Sequence, residues 1–200
     1  MTNVIQKSEI LLHICCGPCA EWPVDVLQKE GFALHAFYYN PNIHPSFEYE
    51  RRKENAEKLM NLRSIPFSSD DQNLESMWRE NGWEDEYASR CEMCYDLRIM
   101  RTAMEAKARG IPYFSTTLLV SIYQNHDAIV RAGEKAAKQT GTSFLYRDFR
   151  DGFRKGQEMA KNDGLYRQKY CGCILSLDES AYKEKIYQSF SGRSGDTRSV

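Results

Sequence analysis

Short apolar runs rich in branched and aromatic residues alternate along the chain with longer segments of helical periodicity. The apolar runs predict five strands, which we place at Ile10–Ile14, Leu34–Tyr39, Ile65–Ser68, Tyr113–Thr116 and Ser143–Tyr146. The periodic segments predict seven helices, which we place at Trp22–Glu30, Phe47–Leu62, Leu74–Glu80, Tyr95–Arg109, Ile122–Gln139, Phe153–Asn162 and Leu177–Ser189. Such alternation is typical of a parallel sheet with helices on its faces. We therefore predict a Rossmann-like α/β fold.

Glycines and one polar tetrapeptide predict where helices end and begin. Gly31, Gly110 and Gly141 follow predicted helices directly, and glycine readily takes the left-handed backbone of a helix end. Ser176-Leu177-Asp178-Glu179 has the spacing of a capping box and predicts the start of the last helix.

The length of 200 residues suits one domain with a well-filled core and is short for two. We therefore expect a single domain over residues 1–190 and a disordered polar tail over 191–200. No run approaches the roughly 20 apolar residues of a membrane span, and Met1–Glu9 lacks the apolar segment of a secretory signal. These features predict a cytoplasmic protein without membrane contact. The net charge of -1 gives no global indication of nucleic-acid binding.

Seven cysteines fall in three tight clusters. The clusters are Cys15-Cys16-Gly17-Pro18-Cys19, Cys91-Glu92-Met93-Cys94 and Cys171-Gly172-Cys173. Thiolates gathered in this way favour an iron-sulfur cluster or another thiophilic metal, and disulfide frameworks are rare in a reducing cytosol. The first cluster follows the first predicted strand, at the sheet edge where open parallel sheets bind ligands. We therefore predict a metalloenzyme with its centre at that edge.

Other segments are predicted to reach the same edge. The loop Asn40–Pro45 follows the second strand, and Asp148 follows the last one. Cys91 and Cys94 open a predicted helix, whose free amides and positive dipole are expected to lower the pKa of both thiols.

Two alternatives stay open on the residues alone. Cys16-Gly17-Pro18-Cys19 resembles a thioredoxin redox motif, although that fold needs a strand and a helix ahead of it and only nine residues precede this strand. The pairs Cys16/Cys19 and Cys91/Cys94 also allow a structural zinc site assembled from distant segments. Cys19 alone, in the first turn of a helix, is the cysteine that best fits an inert buried thiol.

The histidines are weaker signals. His13 lies within the first strand and is interpreted as an interior histidine with satisfied hydrogen bonds. His44 and His126 lie in polar segments and are candidates for substrate contact.

Basic residues outnumber acidic ones between Arg147 and Lys169, and aromatic residues are interleaved with them. This mixture suits phosphate contacts and base stacking on single-stranded RNA. A solvated helix face explains the same pattern, so the segment alone does not decide between the two.

Five segments in collinear order, from about Ile10 to Ser176, carry a resemblance to a known family. They are Leu12-His13-Ile14-Cys15-Cys16-Gly17-Pro18-Cys19, Tyr39-Asn40-Pro41-Asn42-Ile43-His44-Pro45, Arg90-Cys91-Glu92-Met93-Cys94, Phe144-Leu145-Tyr146-Arg147-Asp148-Phe149-Arg150 and Leu165-Tyr166-Arg167-Gln168-Lys169-Tyr170-Cys171-Gly172-Cys173. Together they resemble the cobalamin-independent epoxyqueuosine reductases, the QueH family. The resemblance implies a HUP-type Rossmann-like fold and a [4Fe-4S] cluster. It also implies reduction of epoxyqueuosine to queuosine at the tRNA wobble position, with an electron donor that the sequence does not identify.

The resemblance further implies roles for individual cysteines. It assigns the [4Fe-4S] cluster to the two cysteines after the first strand and the two that open the fourth helix, namely Cys15, Cys16, Cys91 and Cys94. It implies a second redox element as well, which is either a redox-active pair formed by Cys171 and Cys173 or an additional iron held by that pair and Asp148. Cys19 is left free to replace a member of either set.

The implied reaction also needs proton donors and RNA contacts. Asp148 and Tyr146 are the candidate acids. The candidate phosphate contacts, from the basic and aromatic segment, are Arg150, Arg154, Arg167 and Lys169.

Overall fold

The computed structural model describes residues 8–191. The predicted tail, 191–200, lies outside the described residues except for its first position. None of the helices within the described part of the chain is long and apolar enough to span a bilayer.

A five-stranded parallel sheet forms the centre of the molecule. Its strands are β1 (Glu9–His13), β2 (Ala33–Tyr38), β3 (Phe67–Ser69), β4 (Tyr113–Thr116) and β5 (Ser143–Phe144), in the order β3-β2-β1-β4-β5. The first strand is central, with Leu11 paired to His35 on β2 and to Phe114 on β4. The strand order reverses at β1, so the connections leave a crevice at the carboxyl ends of β1 and β4. The Rossmann-like (HUP-type) fold is confirmed.

Helices cover the sheet and carry the chain from one strand to the next. They are α1 (Gly17–Lys29), α2 (Ser46–Leu62), α3 (Glu75–Arg79), α4 (Arg90–Arg109), α5 (His126–Thr140), α6 (Phe153–Asn162), α7 (Ile174–Asp178) and α8 (Lys183–Ser191). Short 3-10 turns occupy Thr117–Val120 and Arg150–Gly152. Gly31, Gly110 and Gly141 have positive φ angles directly after α1, α4 and α5, as predicted.

Several helices begin at other residues than the sequence predicted. The helix α1 starts five residues earlier than predicted, at Gly17, because Pro18 is tolerated in a first turn, where its missing N–H needs no partner. The helix α4 starts at Arg90 because the Ser89 side chain accepts a hydrogen bond from the amide of Glu92. Asn125 caps α5 in the same way, so the predicted start at Ile122 was wrong.

The predicted last helix, Leu177–Ser189, was also wrong, because two helices, α7 and α8, replace it. The cap of α7 is Cys173, whose Sγ accepts from the amide of Ser176 at 3.4 Å. Ser176 therefore lies inside the first helix of the pair and does not form the predicted capping box.

Two groups of buried apolar side chains position the site. The larger one surrounds the central strand, where Ile10, Leu11 and Leu12 are at most 1% exposed. The smaller one joins α3, α4 and α7 through Trp78, Met93 and Ile174, among others. Because Cys94 and Cys173 belong to this second group, it packs the second and third cysteine clusters against each other.

Candidate active site

The first cysteine cluster forms the turn from β1 into α1. The Sγ atoms of Cys15, Cys16 and Cys19 all lie within 4.8 Å of one another. Within residues 8–191, no other group of three or more His, Cys, Asp or Glu side chains is close enough to hold a metal. The structure therefore brings Cys19, which was interpreted as an inert thiol, into one group with its neighbours, and this group can hold a metal.

Charge within this group is concentrated on Cys15. Hydrogen bonds from Cys16 and Cys19 lower the pKa of Cys15 well below its usual value, and the nearby Arg98 and Thr117 act in the same direction. Burial raises the pKa of Cys16, and hydrogen bonds to its two neighbours raise that of Cys19. The hydrogen bonds within the group therefore favour the anionic form at Cys15 over Cys16 and Cys19.

Thr117, in the 3-10 turn after β4, fixes Cys15 from the neighbouring strand. Its hydroxyl accepts from the amide of Cys15 at 3.0 Å and donates to the Sγ of Cys15 at 3.2 Å. One side chain therefore orients both the backbone and the sulfur of the first cysteine.

The second cluster lies in the first turns of α4, but its thiols are not activated as predicted. Burial raises the pKa of Cys94 to about 12 and also raises the pKa of Cys91. The neighbouring Cys171 and Cys173 raise both values further. The predicted lowering of these pKa values at the helix start was wrong, because burial and the neighbouring cysteines raise both of them.

A buried guanidinium connects the three clusters. Arg98 follows Cys94 by one helical turn, is 4% exposed and donates from Nη1 to the Sγ of Cys94 at 3.5 Å. It interacts electrostatically with Cys15 and Cys171 as well. Its Nη2 donates to the Oδ1 of Asn40 at 2.6 Å. One cysteine of each cluster, Cys15, Cys94 and Cys171, therefore lies near the same buried cation.

The third cluster is anchored through its backbone by a buried ion pair. Arg52 donates to the carbonyls of Cys171 at 2.8 Å and Tyr170 at 3.1 Å, and its Nε donates to Glu48 at 2.7 Å. Both side chains of the pair are almost fully buried. No disulfide joins any of the seven cysteines, all of which lie within the described residues.

His44 holds the same segment from the other side. It is fully buried, its Nε2 donates to the carbonyl of Pro41 at 2.9 Å, and its Nδ1 accepts from the amide of Ile174 at 3.1 Å. Burial lowers the pKa of His44, which agrees with a neutral ring in this arrangement. The geometry therefore gives His44 a positioning role in place of the candidate substrate contact.

The other two candidate histidines are also buried. His13 bonds through Nδ1 to the hydroxyl of Thr116 at 2.9 Å and through Nε2 to the carbonyl of Tyr39 at 3.1 Å, which confirms the predicted interior role. Burial, assisted by Arg98, lowers the pKa of His13 to about 3. His126 donates to the carbonyl of Leu119 at 3.2 Å.

A cavity of about 460 Å³ opens above the first cluster. The buried Cys15 and Cys16 lie at its inner end, and the exposed Tyr123, Arg167 and Lys169 lie at its mouth. Among the described residues that line it, four are Arg or Lys and none is Asp or Glu. The cavity is therefore suited to an anionic ligand.

Unpaired buried polar atoms are found in the same lining. The Nε of Arg98, the Oδ1 of Asn42 and the Oε1 of Gln168 have no hydrogen-bond partner. The amide of Gln168 also donates to the Sγ of Cys16 at 3.0 Å. Since an unmade hydrogen bond at a buried group costs about 1–3 kcal/mol, these atoms favour a polar ligand in the cavity.

Some predicted site residues lie elsewhere. Asp148 is 40% exposed and receives hydrogen bonds from Arg150, which lower the pKa of its carboxyl to about 2. It is ionised at neutral pH, which suits an oxygen ligand better than a proton donor. Arg154 and Tyr146 are exposed. The described residues that line the cavity include Arg167 and Lys169. They do not include Tyr146, Asp148, Arg150 or Arg154.

Three residues at the site were missed by sequence reasoning. Arg98 and Thr117 fall within ordinary helical and strand patterns and carried no signal of their own. Gln124 donates to the Sγ of Cys171 at 3.5 Å and accepts from the hydroxyl of Tyr95 at 2.6 Å. It lies in the loop before α5, which was interpreted as part of the helix.

Comparison with known proteins identifies the family. The model of the family described as "Epoxyqueuosine reductase QueH" matches residues 10–179. The chain belongs to the QueH family. The predicted resemblance is therefore confirmed over most of the chain.

Two curated relatives illustrate the match. A protein named "Epoxyqueuosine reductase QueH" from Dehalococcoides mccartyi is 35% identical over 168 residues, which cover 84% of this chain and 92% of that protein. Its namesake from Thermotoga maritima is 36% identical over 182 residues, covering 87% and 93%.

A solved structure is similar in fold. It is described as a predicted subunit of a tRNA methyltransferase from Methanocaldococcus jannaschii, with a TM-score of 0.51 and 11% sequence identity. The likeness covers 77% of this chain and 74% of the other, and it supports the Rossmann-like architecture alone.

Proposed function

We propose that this chain reduces the epoxide of epoxyqueuosine at the wobble position of tRNA, giving queuosine. The observation that carries the proposal is the lining of one cavity. Buried thiols of the first cluster lie at its inner end and cationic side chains at its mouth, in a member of the QueH family. The thiols suit electron transfer and the cations suit RNA phosphates.

The reaction sets a requirement that the third cluster meets. Converting an epoxide to an alkene and water consumes two electrons and two protons. Oxidation of the thiols of Cys171 and Cys173 to a disulfide releases two electrons and two protons, so the balance closes. Support comes from Cys171, which is exposed, lines the cavity and receives a hydrogen bond from Gln124. The alternative role of this pair is to hold an additional iron together with Asp148. The geometry gives this role no support, because these three side chains do not form a ligand group within residues 8–191.

A [4Fe-4S] cluster is proposed on Cys15, Cys16, Cys91 and Cys94. When bound, the cluster would supply electrons one at a time to the substrate site. Support comes from Arg98, which interacts with both Cys15 and Cys94 and provides a buried positive charge beside an anionic set of thiolates. The donor chemistry fits, because four thiolates are the usual ligand set for such a cluster.

Cys19 competes for a place in this set, because its Sγ lies close to those of Cys15 and Cys16. The iron and sulfide content of C19S, C91S and C94S, each reconstituted without oxygen, separates the two possibilities. Loss of the visible absorption in C91S and C94S, with C19S like the wild type, supports the proposed set. Loss of the absorption in C19S, with C91S and C94S like the wild type, assigns the cluster to the group of Cys15, Cys16 and Cys19.

The protein's own side chains have three tasks in this mechanism. Arg167 and Lys169 bind phosphate at the mouth, with Arg150 and Arg154 proposed as further contacts. Gln168 and Asn42 offer unpaired amide oxygens to polar groups of the substrate. The buried end of the cavity excludes bulk water from the reacting epoxide.

The decisive experiment measures the product. Protein reconstituted without oxygen is incubated with a chemical reductant and tRNA carrying epoxyqueuosine, and the digested nucleosides are examined by mass spectrometry. The expected result is loss of one oxygen atom from the modified nucleoside. An unchanged mass under conditions where the cluster is loaded and the tRNA is bound would contradict the proposal.

The role of the third cluster is tested with C171S and C173S. We expect both variants to keep most of the visible absorption and to lose turnover. Loss of that absorption in either variant would place the cysteine among the cluster ligands instead. A colourless wild-type protein with bound zinc would support the alternative of a structural zinc site.

A further inference from the structure

A large aromatic side chain stands exposed at the mouth of the cavity. Tyr123 is 81% exposed, the highest value among the exposed large hydrophobic side chains of the described residues. Its ring packs against that of Phe153 at 5.7 Å between centroids, with an interplanar angle of 85°. Both residues line the cavity. At this exposure at least one face of the Tyr123 ring is open to a ligand.

The backbone on both sides of Tyr123 is fixed. Its own amide donates to the hydroxyl of Ser121 at 3.2 Å, directly after the 3-10 turn that follows β4. On the other side, the amide of Asn125 donates to the hydroxyl of Tyr95. The backbone that carries the ring is therefore ordered before a ligand binds, and the contact with Phe153 supports the ring itself.

Tyr123 precedes a residue that contacts the third cysteine cluster. The next residue, Gln124, donates to the Sγ of Cys171, the exposed thiol of the third cluster. Tyr123 and Cys171 also line the same cavity, so a flat ligand on the Tyr123 ring shares that cavity with the thiol that we propose as a source of electrons.

The charge around the mouth indicates the chemistry of the ligand. Arg167 and Lys169 line the same mouth and are exposed, and no Asp or Glu is found among the described lining residues. A planar ring next to a phosphate is the repeating unit of a nucleic acid. An open aromatic face beside exposed cations is the usual arrangement for single-stranded RNA.

We propose that Tyr123, supported by Phe153, is the platform on which the wobble base stacks when it leaves the anticodon loop, while Arg167 and Lys169 hold the adjoining phosphate. This inference rests on the proposed function and adds how the substrate is recognised. An epoxide is saturated and so belongs to a substituent of the aromatic base. Stacking at the mouth leaves that substituent directed towards the thiols at the inner end.

The test measures stacking separately from catalysis. An anticodon stem-loop RNA with 2-aminopurine at the wobble position reports stacking through fluorescence quenching, and its anisotropy with a terminal dye reports affinity. Both are measured on the full-length protein, reconstituted without oxygen. The variants are Y123A, Y123F, which keeps the ring, and I122A, a control at the exposed neighbouring side chain.

We expect wild-type protein, Y123F and I122A to quench the probe and to bind within about twofold of one another. Y123A is expected to bind tenfold or more weakly and to quench little, since base stacking on an aromatic side chain accounts for about 1–3 kcal/mol. Because Tyr123 is exposed, the melting temperature of Y123A should match that of the wild type.

Quenching and affinity of Y123A equal to wild type would overturn the platform. Binding and turnover of the wild-type protein show separately whether the proposed function fails. If that protein binds the stem-loop through Tyr123 but leaves the epoxide intact, the platform stands and the reductase activity does not. If it reduces the epoxide while Y123A binds and turns over normally, the activity stands and the platform is wrong.

Discussion

Arg98 donates a hydrogen bond to the sulfur of Cys94 from a guanidinium that is 4% exposed. The described hydrogen-bond acceptors of this group are that sulfur and the amide oxygen of Asn40, so no carboxylate among them compensates the charge. A buried cation without an anionic partner is strongly destabilising. Cys15 interacts electrostatically with Arg98 and has a lowered pKa, so its thiolate is the counter-charge of the guanidinium.

The first prediction concerns R98M, which removes this charge at similar size. With the cation lost, adding an electron to the proposed [4Fe-4S] cluster becomes less favourable. Its midpoint potential should therefore fall by about 60 mV or more, which is a tenfold change in equilibrium constant for a one-electron couple. The measurement is a redox titration followed by electron paramagnetic resonance. R98K, which keeps the charge but not the planar fork, should fall between R98M and the wild type. A potential that is equal in all three proteins would contradict this role.

The second prediction concerns the hydroxyl of Thr117. T117V removes the donor to the Sγ of Cys15, and hydrogen bonds to charged groups contribute about 1.5–3 kcal/mol. The pKa of Cys15 in the metal-free protein should therefore rise by about one unit or more. Alkylation of Cys15 by iodoacetamide, followed against pH by peptide mass spectrometry, measures this shift. T117S keeps the hydroxyl and should titrate like the wild type.

Strand positions were predictable from the sequence, because fully buried parallel strands are continuous apolar runs. Ile10–Ile14 was predicted and β1 is Glu9–His13, a shift of one residue. Helix starts were less predictable, since they depend on single capping side chains such as Ser89 and Asn125. The interruption of the helix between α7 and α8 had no strong local signal in the sequence. A capping-box spacing at Ser176 predicted the wrong helix start.

The parts of the site that could be predicted from the sequence are those whose residue type itself indicates the chemistry, namely the cysteines. The position of Cys15 and Cys16 at the carboxyl end of the sheet followed from topology, because they come directly after a parallel strand. The role of Arg98 was not visible, since it depends on contacts with Asn40, 58 positions away, and on burial of the charge. The proposed stacking role of Tyr123 was not predictable either, because an exposed tyrosine within a predicted helix has no distinctive sequence pattern.

The third prediction concerns the glycine between the last two cysteines. Gly172 has a φ of +147°, and a Cβ there would meet Arg52, Asn42 and Ile43 at 3.2–3.3 Å. G172A should therefore destabilise the protein by about 1–3 kcal/mol and reduce turnover. Urea unfolding and the product assay measure the two effects.

The matched control for G172A is G31A, at the opposite end of the sheet. Gly31 has a φ of +89° and no atom within 4 Å of the added carbon, so the variant carries backbone strain without crowding. It should lose stability but keep turnover. Equal losses of turnover in both variants would show that the crowding at Gly172 is irrelevant to the site.

The fourth prediction concerns pH and His44. Burial lowers the pKa of this side chain below 6.5, so the unfolded state takes up a proton at a higher pH than the folded state does. Its stabilising contribution is complete above about pH 6.5 and is lost as the pH falls towards the folded pKa. The free energy of unfolding should therefore decline more steeply from pH 7.5 to 5 in the wild type than in H44Q. Parallel slopes would contradict this assignment.

The last prediction separates the four basic residues proposed for RNA. Each phosphate contact adds about 0.7 to the slope of log affinity against log salt for a single strand. Arg167 and Lys169 line the cavity, so the double variant R167A/K169A should weaken binding of the anticodon stem-loop and flatten that slope by about 1.4. Arg150 is paired with Asp148, so R150A/R154A should have a smaller effect. Affinity measured by anisotropy between 50 and about 300 mM salt gives both slopes. Unchanged affinity and slope in both double variants would show that none of the four residues contacts the RNA. A larger effect of R150A/R154A would place the phosphate backbone over the Asp148 side of the molecule.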